Sequence, residues 1–142
     1  MSALVAAAAA DFLLAVLHVA SVAVGAPAYR CFRAGEAFAA AAEAGSWRPP
    51  LETLFIATVF VGFGLVALSA AGVGVPVPFA PVLLGAIVAV FVARGAAVLP
   101  QALGRRLFTA GDPVEGRDLA FSVVSLGIGL LHAIGLYPLL QQ

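Results

Sequence analysis

Asp11, His18, Arg94 and His132 interrupt stretches of sequence that are otherwise apolar, and Glu52 stands at the edge of another. An ionisable group inside a membrane helix is costly, which makes each of these a candidate for function. Imidazoles titrate near neutral pH, and an aspartate beside one forms a charge-shifted pair. A carboxylate and two histidines stepping through a helix bundle therefore have the chemistry of a proton or ion relay. Two histidines in apolar helices also raise the question of haem ligation. A second set of candidates is basic. All seven cationic side chains are arginines, and Arg30, Arg33, Arg48, Arg105 and Arg106 flank the apolar stretches, where their planar forks suit anionic lipid headgroups or a phosphorylated amphiphile. Cys31, close to Arg30 and Arg33, is the single cysteine, which excludes an internal disulfide and any metal site built on several thiolates. Neighbouring cations lower a thiol pKa and interfacial thiols can be acylated, yet an isolated thiol with no constraint is the plainer reading. Zinc-protease, phosphate-loop, nucleophile-elbow and dithiol signatures are all missing, so no metal or cofactor is expected.

The elements that carry these residues follow from composition. The chain has 142 residues, 63% hydrophobic and 10% charged, with a mean hydropathy of +1.13. Soluble domains carry about 25% charged residues, so too few are present to cover a water-soluble globule. Seven acids balance the seven arginines, which gives nucleic-acid binding no support. A helix crossing about 30 Å of hydrocarbon needs about 20 apolar residues. Four stretches qualify, at about 3–25, 51–71, 78–99 and 119–140. The expected fold is an all-α integral membrane protein: one domain over 1–142, a four-helix transmembrane bundle with a short cytoplasmic interfacial helix. The first stretch is read as a retained span rather than a signal peptide, because no basic residue precedes it and Asp11 interrupts it.

Arginine placement orients the bundle. The connection 26–50 holds Arg30, Arg33 and Arg48, the connection 100–118 holds Arg105, Arg106 and Arg117, and residues 72–77 hold none. Both basic connections are expected in the cytoplasm and both termini outside. In the first connection the Ala-rich stretch 32–44 reads as a surface helix with Arg33, Glu36, Ala40 and Glu43 on one face. Tyr29 and Trp47 flank it at headgroup level, and Pro49-Pro50 resets the chain before the second span. Asp112-Pro113-Val114-Glu115 has the form of a helix start. The Gly- and Pro-rich residues 72–78 form a tight external turn.

Small and polar residues fall on stripes: Asp11, Ala15, His18, Val22, Gly25 in the first span; Thr58, Gly62, Leu65, Ser69 in the second; Ser122, Ser125, Gly129, His132 in the fourth. Membrane helices approach along such stripes, so these faces are expected inside the bundle. At about 1.5 Å rise per residue, Asp11 and His132 stand at similar height, about 20 Å above the inner ends of their spans. His18, Arg94 and Ser125 lie about 8 to 10 Å up by the same counting, with Glu52 lower. Two polar layers are expected, Asp11 with His132 and His18 with Arg94, Ser125 and Glu52. The height difference between His18 and His132 argues against a shared haem.

The run His18…Gly25-Ala-Pro-Ala-Tyr29-Arg30-Cys-Phe-Arg-Ala-Gly35-Glu36, followed by Gly45-Ser46-Trp47-Arg48-Pro49 and by Ala67-Leu68-Ser69-Ala70-Ala71-Gly72, resembles a group of short four-span bacterial membrane proteins with no assigned activity. The resemblance implies a four-span fold in a bacterial inner membrane and carries no functional residue with it. Three functions fit the sequence. The first is a scaffold or accessory subunit acting by helix packing, with the lipid bilayer, a second copy or another membrane protein as partner. The second is a small proton- or ion-coupled transporter or channel using Asp11, His18, Arg94 and His132. The third is a binder or enzyme of lipids or amphiphiles at the arginine belt.

Overall fold

A computed structural model describes residues 2–97 and 116–141. Among these the chain is helical and without strands: α1 (Ser2–Val24), α2 (Ala26–Cys31), α3 (Glu36–Glu43), α4 (Arg48–Ala70), α5 (Ala80–Ala96), α6 (Gly116–Leu136) and a closing 3-10 turn (Tyr137–Gln141). Three helices are long and apolar enough to cross a membrane, α1, α4 and α6 with its 3-10 extension; α5 is apolar but shorter, at 17 residues. The expected helix start at Asp112–Glu115 and the belt residues Arg105 and Arg106 lie outside the described residues.

The chain divides into two compact units, Met1–Ala7 with Val66–Gln142, and Ala8–Leu65. In the Ala8–Leu65 unit, Phe12 of α1 packs against Gly64 of α4, where an added Cβ would stand 2.8 Å from the ring. His18 packs on Phe60 with ring centroids 5.1 Å apart. The surface helix expected at 32–44 forms from Glu36 to Glu43 only, and a separate short helix, α2, precedes it. Arg33 (φ 55°) and Gly35 (φ 103°) both take left-handed backbone between them, and alanine-rich sequence does not announce that break. Arg33 therefore leaves the face it was expected to share with Glu36 and Glu43. Tyr29, expected at the headgroup level, is buried with Ala26 and Ala39 in a small core that Phe38 and Ala42 complete. Pro49 and Pro50 do not precede α4 but sit in its first turn, where a missing N–H leaves no intrahelical bond unmade.

In the other unit, α5 packs against α6. The buried residues of α5 are Ala80, Leu84, Ile87, Phe91 and Gly95, spaced as one helical face. Glycines set the approach: a Cβ on Gly95 would stand 2.5 Å from Cγ of Leu126, and one on Gly129 would stand 3.1 Å from Cβ of Phe91. Gly135 receives Leu4 in the same way. Lipid supplies no hydrophobic drive between helices, so this closeness is what dispersion contacts require.

The contrast with open glycines is testable. Gly95→Val overpacks the α5–α6 contact and is expected to cost about 1–3 kcal/mol. Gly127→Ala adds a Cβ where nothing lies within 4 Å and gains up to about 1 kcal/mol of helix propensity. Unfolding of the detergent-solubilised protein reads both, and the two variants should move the midpoint in opposite directions.

Candidate functional site

The polar side chains of the long helices mostly close on their own backbone. His18 Nδ1 lies 2.7 Å from Leu14 O and His132 Nδ1 lies 3.0 Å from Ile128 O. A carbonyl only accepts, so Nδ1 carries the proton and donates in both rings. Nε2 of the neutral ring is then the nitrogen with an available lone pair. Ser21 donates to Leu17 O at 2.7 Å, Thr53 to Pro49 O at 2.8 Å and Thr58 to Leu54 O at 3.0 Å.

Asp11 and His132 are both fully buried. Asp11 belongs to the Ala8–Leu65 unit and His132 to the other. His132 is fixed from one face by Phe91, stacked at 5.6 Å and 22°. His18 is only partly buried. Ser122, rather than Ser125, is the fully buried hydroxyl of α6, and its Oγ has no hydrogen-bond partner among the described residues.

Two residues expected in the inner layer have surroundings of their own. Arg94 is exposed, in the last turn of α5, where a cation is favoured by the helix dipole and extends away from hydrocarbon. Glu52 is bonded by Arg48, one turn earlier on its own helix, at 2.5 Å. The second-span stripe is also displaced by one residue. Thr58, Gly62 and Leu65 are exposed, whereas Thr53, Ala57, Gly64, Ala67 and Ala71 are buried. The alanines on that face give no polar signal, so the conspicuous small and polar residues drew the expectation to the neighbouring face.

The connection between α1 and α4 holds a charged cluster that spacing alone does not reveal. Arg30 Nε donates to both oxygens of Glu36 at 3.1 and 3.0 Å, and Nη2 donates to Glu36 Oε1 at 2.6 Å. Nη1 and Nη2 donate to the Glu43 oxygens at 2.5 and 3.0 Å. Glu36 and Glu43 are seven residues apart, two turns on one face of α3, and that was the available signal. The expected headgroup ligands Arg30 and Arg48 thus both have their guanidinium groups engaged by carboxylates. Beneath the cluster, Tyr29 meets Phe38 edge-on at 5.0 Å, and its hydroxyl lies 3.4 Å from Thr53 Oγ1, whose own proton goes to Pro49 O. Cys31 is exposed. Among the described residues no group of three or more His, Cys, Asp or Glu is arranged to hold a metal ion.

Hydrogen bonds to Glu43 and then to Glu36 hold the Arg30 guanidinium well above its ordinary pKa, and the Arg30 hydrogen bonds hold both glutamates below the usual carboxylate range. Depressed acids stabilise the folded form above their unfolded pKa, about 4.3 for Glu, and that contribution is lost as pH falls through the lowered folded values. A spin label at Ala40 is therefore expected to stay immobile at neutral pH and to gain mobility only below about pH 4. Arg30→Met should abolish the step and leave the label mobile throughout; an unchanged step in that variant contradicts the clasp.

No protein-family model matches the chain, and no curated protein or solved structure matches it.

Proposed function

We propose that this chain is a small polytopic membrane protein that works by helix packing, as a scaffold or accessory subunit. In this reading α1, α4, α5 and α6 are four crossings of a bacterial inner membrane, with both termini outside. The observation that carries the reading is the outward face of α4. Thr58 and Gly62 are exposed, and a Cβ on Gly62 would meet nothing within 4 Å. A glycine inside a helix costs about 1 kcal/mol relative to alanine, and a small residue every fourth position is the surface that a second membrane helix approaches closely. The partner is another membrane protein or a second copy of this chain.

Replacing Gly62 by Ile fills that surface without touching the buried face of α4. Photobleaching counts of the labelled chain in native membrane vesicles are expected to find it in assemblies, with the assembled fraction falling about tenfold in Gly62→Ile, equivalent to about 1.4 kcal/mol. A freely diffusing single chain, unchanged by the substitution, contradicts the reading.

A second reading, a proton- or ion-coupled carrier, is favoured by the complete burial of Asp11 and His132. In proteoliposomes carrying a pH-sensitive dye, Asp11→Asn is expected to abolish any proton flux that the unaltered chain supports while leaving its folded elution profile intact. Equal flux from both ends this reading.

A further inference from the structure

Residues 72–79, between α4 and α5, are Gly-Val-Gly-Val-Pro-Val-Pro-Phe, with no charged or polar side chain among them. Val75 and Phe79 are 82% and 79% exposed, among the most exposed large apolar residues of the chain, and Val82 follows closely. Phe79 also holds a left-handed backbone at φ 58°, a conformation that a bulky residue rarely adopts.

Two observations say what covers this apolar tip. The first is length. From the exposed Arg94, whose guanidinium belongs at a headgroup layer, back to Phe79 is 15 residues, a rise of about 22 Å, well short of about 30 Å of hydrocarbon. α5 is thus shorter than the hydrocarbon it would cross, and the turn is what adjoins its far end.

The second observation is the state of the backbone. Segments reach the hydrocarbon boundary only when their N–H groups are satisfied internally. Here Ala71 donates to Ala67 and Leu68, Gly72 to Ser69, and Val73 to Leu68. Val77 donates to the Ser69 hydroxyl at 2.7 Å. Positions 76 and 78 are prolines and have no donor. Gly74, Val75 and Phe79 keep N–H groups for water and headgroups, so the turn suits the boundary layer rather than the hydrocarbon itself.

We infer that the α4–α5 turn is itself a lipid-binding element: Val75 and Phe79 insert into the boundary between acyl chains and headgroups of the leaflet opposite Arg94, and complete the crossing that α5 is too short to make. This rests on the four-crossing reading, and Ser69, which ties down Val77, is the residue that shapes the tip.

The test uses single-tryptophan variants of the full chain, with Trp47→Phe as background, in vesicles of phosphatidylcholine and phosphatidylglycerol. Val75→Trp and Phe79→Trp are compared with Leu13→Trp, an exposed position midway along α1. Leu13→Trp should be quenched by lipids brominated near the methyl end of the chain. The turn variants should emit at blue-shifted wavelengths and lose intensity to lipids brominated near the carbonyl end, with little loss to aqueous iodide. Quenching of Leu13→Trp together with red-shifted, iodide-quenched turn variants overturns the inference and leaves the membrane reading standing. Blue-shifted turn variants insensitive to every brominated lipid overturn it in favour of a protein cover. Absence of bromine quenching at all three positions overturns both.

Discussion

A polar group inside hydrocarbon has no water to turn to, and most of the described side chains in that position meet the demand in one way. His18, Ser21, Thr53, Thr58 and His132 each bond the carbonyl four residues earlier on their own helix. The bond costs no partner helix and leaves the helix ladder intact. It also freezes the tautomer of both histidines, so any chemistry they perform passes through Nε2. In each case the ring is then held by a phenylalanine, Phe60 for His18 and Phe91 for His132. Ser122 is buried without such a bond, which makes it the hydroxyl whose environment differs most from the rest.

Between helices the same constraint selects shape over hydrophobicity. Gly64, Gly95, Gly129 and Gly135 let Phe12, Leu126, Phe91 and Leu4 reach the opposing backbone, because contact density is what distinguishes a protein neighbour from an acyl chain. The α2–α3 connection is built on the opposite rule. It has a small apolar core around Tyr29 and Ala39 and an arginine held by two carboxylates, the arrangement of a segment in contact with water. The two kinds of packing mark out which parts of the chain belong to which solvent.

Much of the helical layout was legible in the sequence, since hydropathy over some 20 residues overrides local detail: α1, α4 and α6 fall close to the expected spans. Faces were harder to read. On α4 the polar and glycine residues 58, 62 and 69 stand out in the sequence, while the buried stripe includes Ala57, Ala67 and Ala71, which carry no signal of their own. The helix break at Arg33–Gly35 was hidden by the surrounding alanines, and with it the pairing of Arg30 to Glu36 and Glu43, which needs the chain to fold back. The expected third span ran to Leu99, and in the structure Arg94 falls in the last turn of α5. Burial of Asp11 and His132 was anticipated; which groups surround them is a tertiary property that periodicity does not encode.

The central claim is that the chain lives within a bilayer and crosses it an even number of times. It is tested most directly by single cysteines introduced as Ser2→Cys and Gln141→Cys in a Cys31→Ser background, probed with a membrane-impermeant thiol reagent on intact spheroplasts. Both ends are expected to label from outside, and the protein is expected to resist an alkaline carbonate wash and to leave the membrane only with detergent. Labelling of one end alone, or release of the chain by carbonate, would contradict the account.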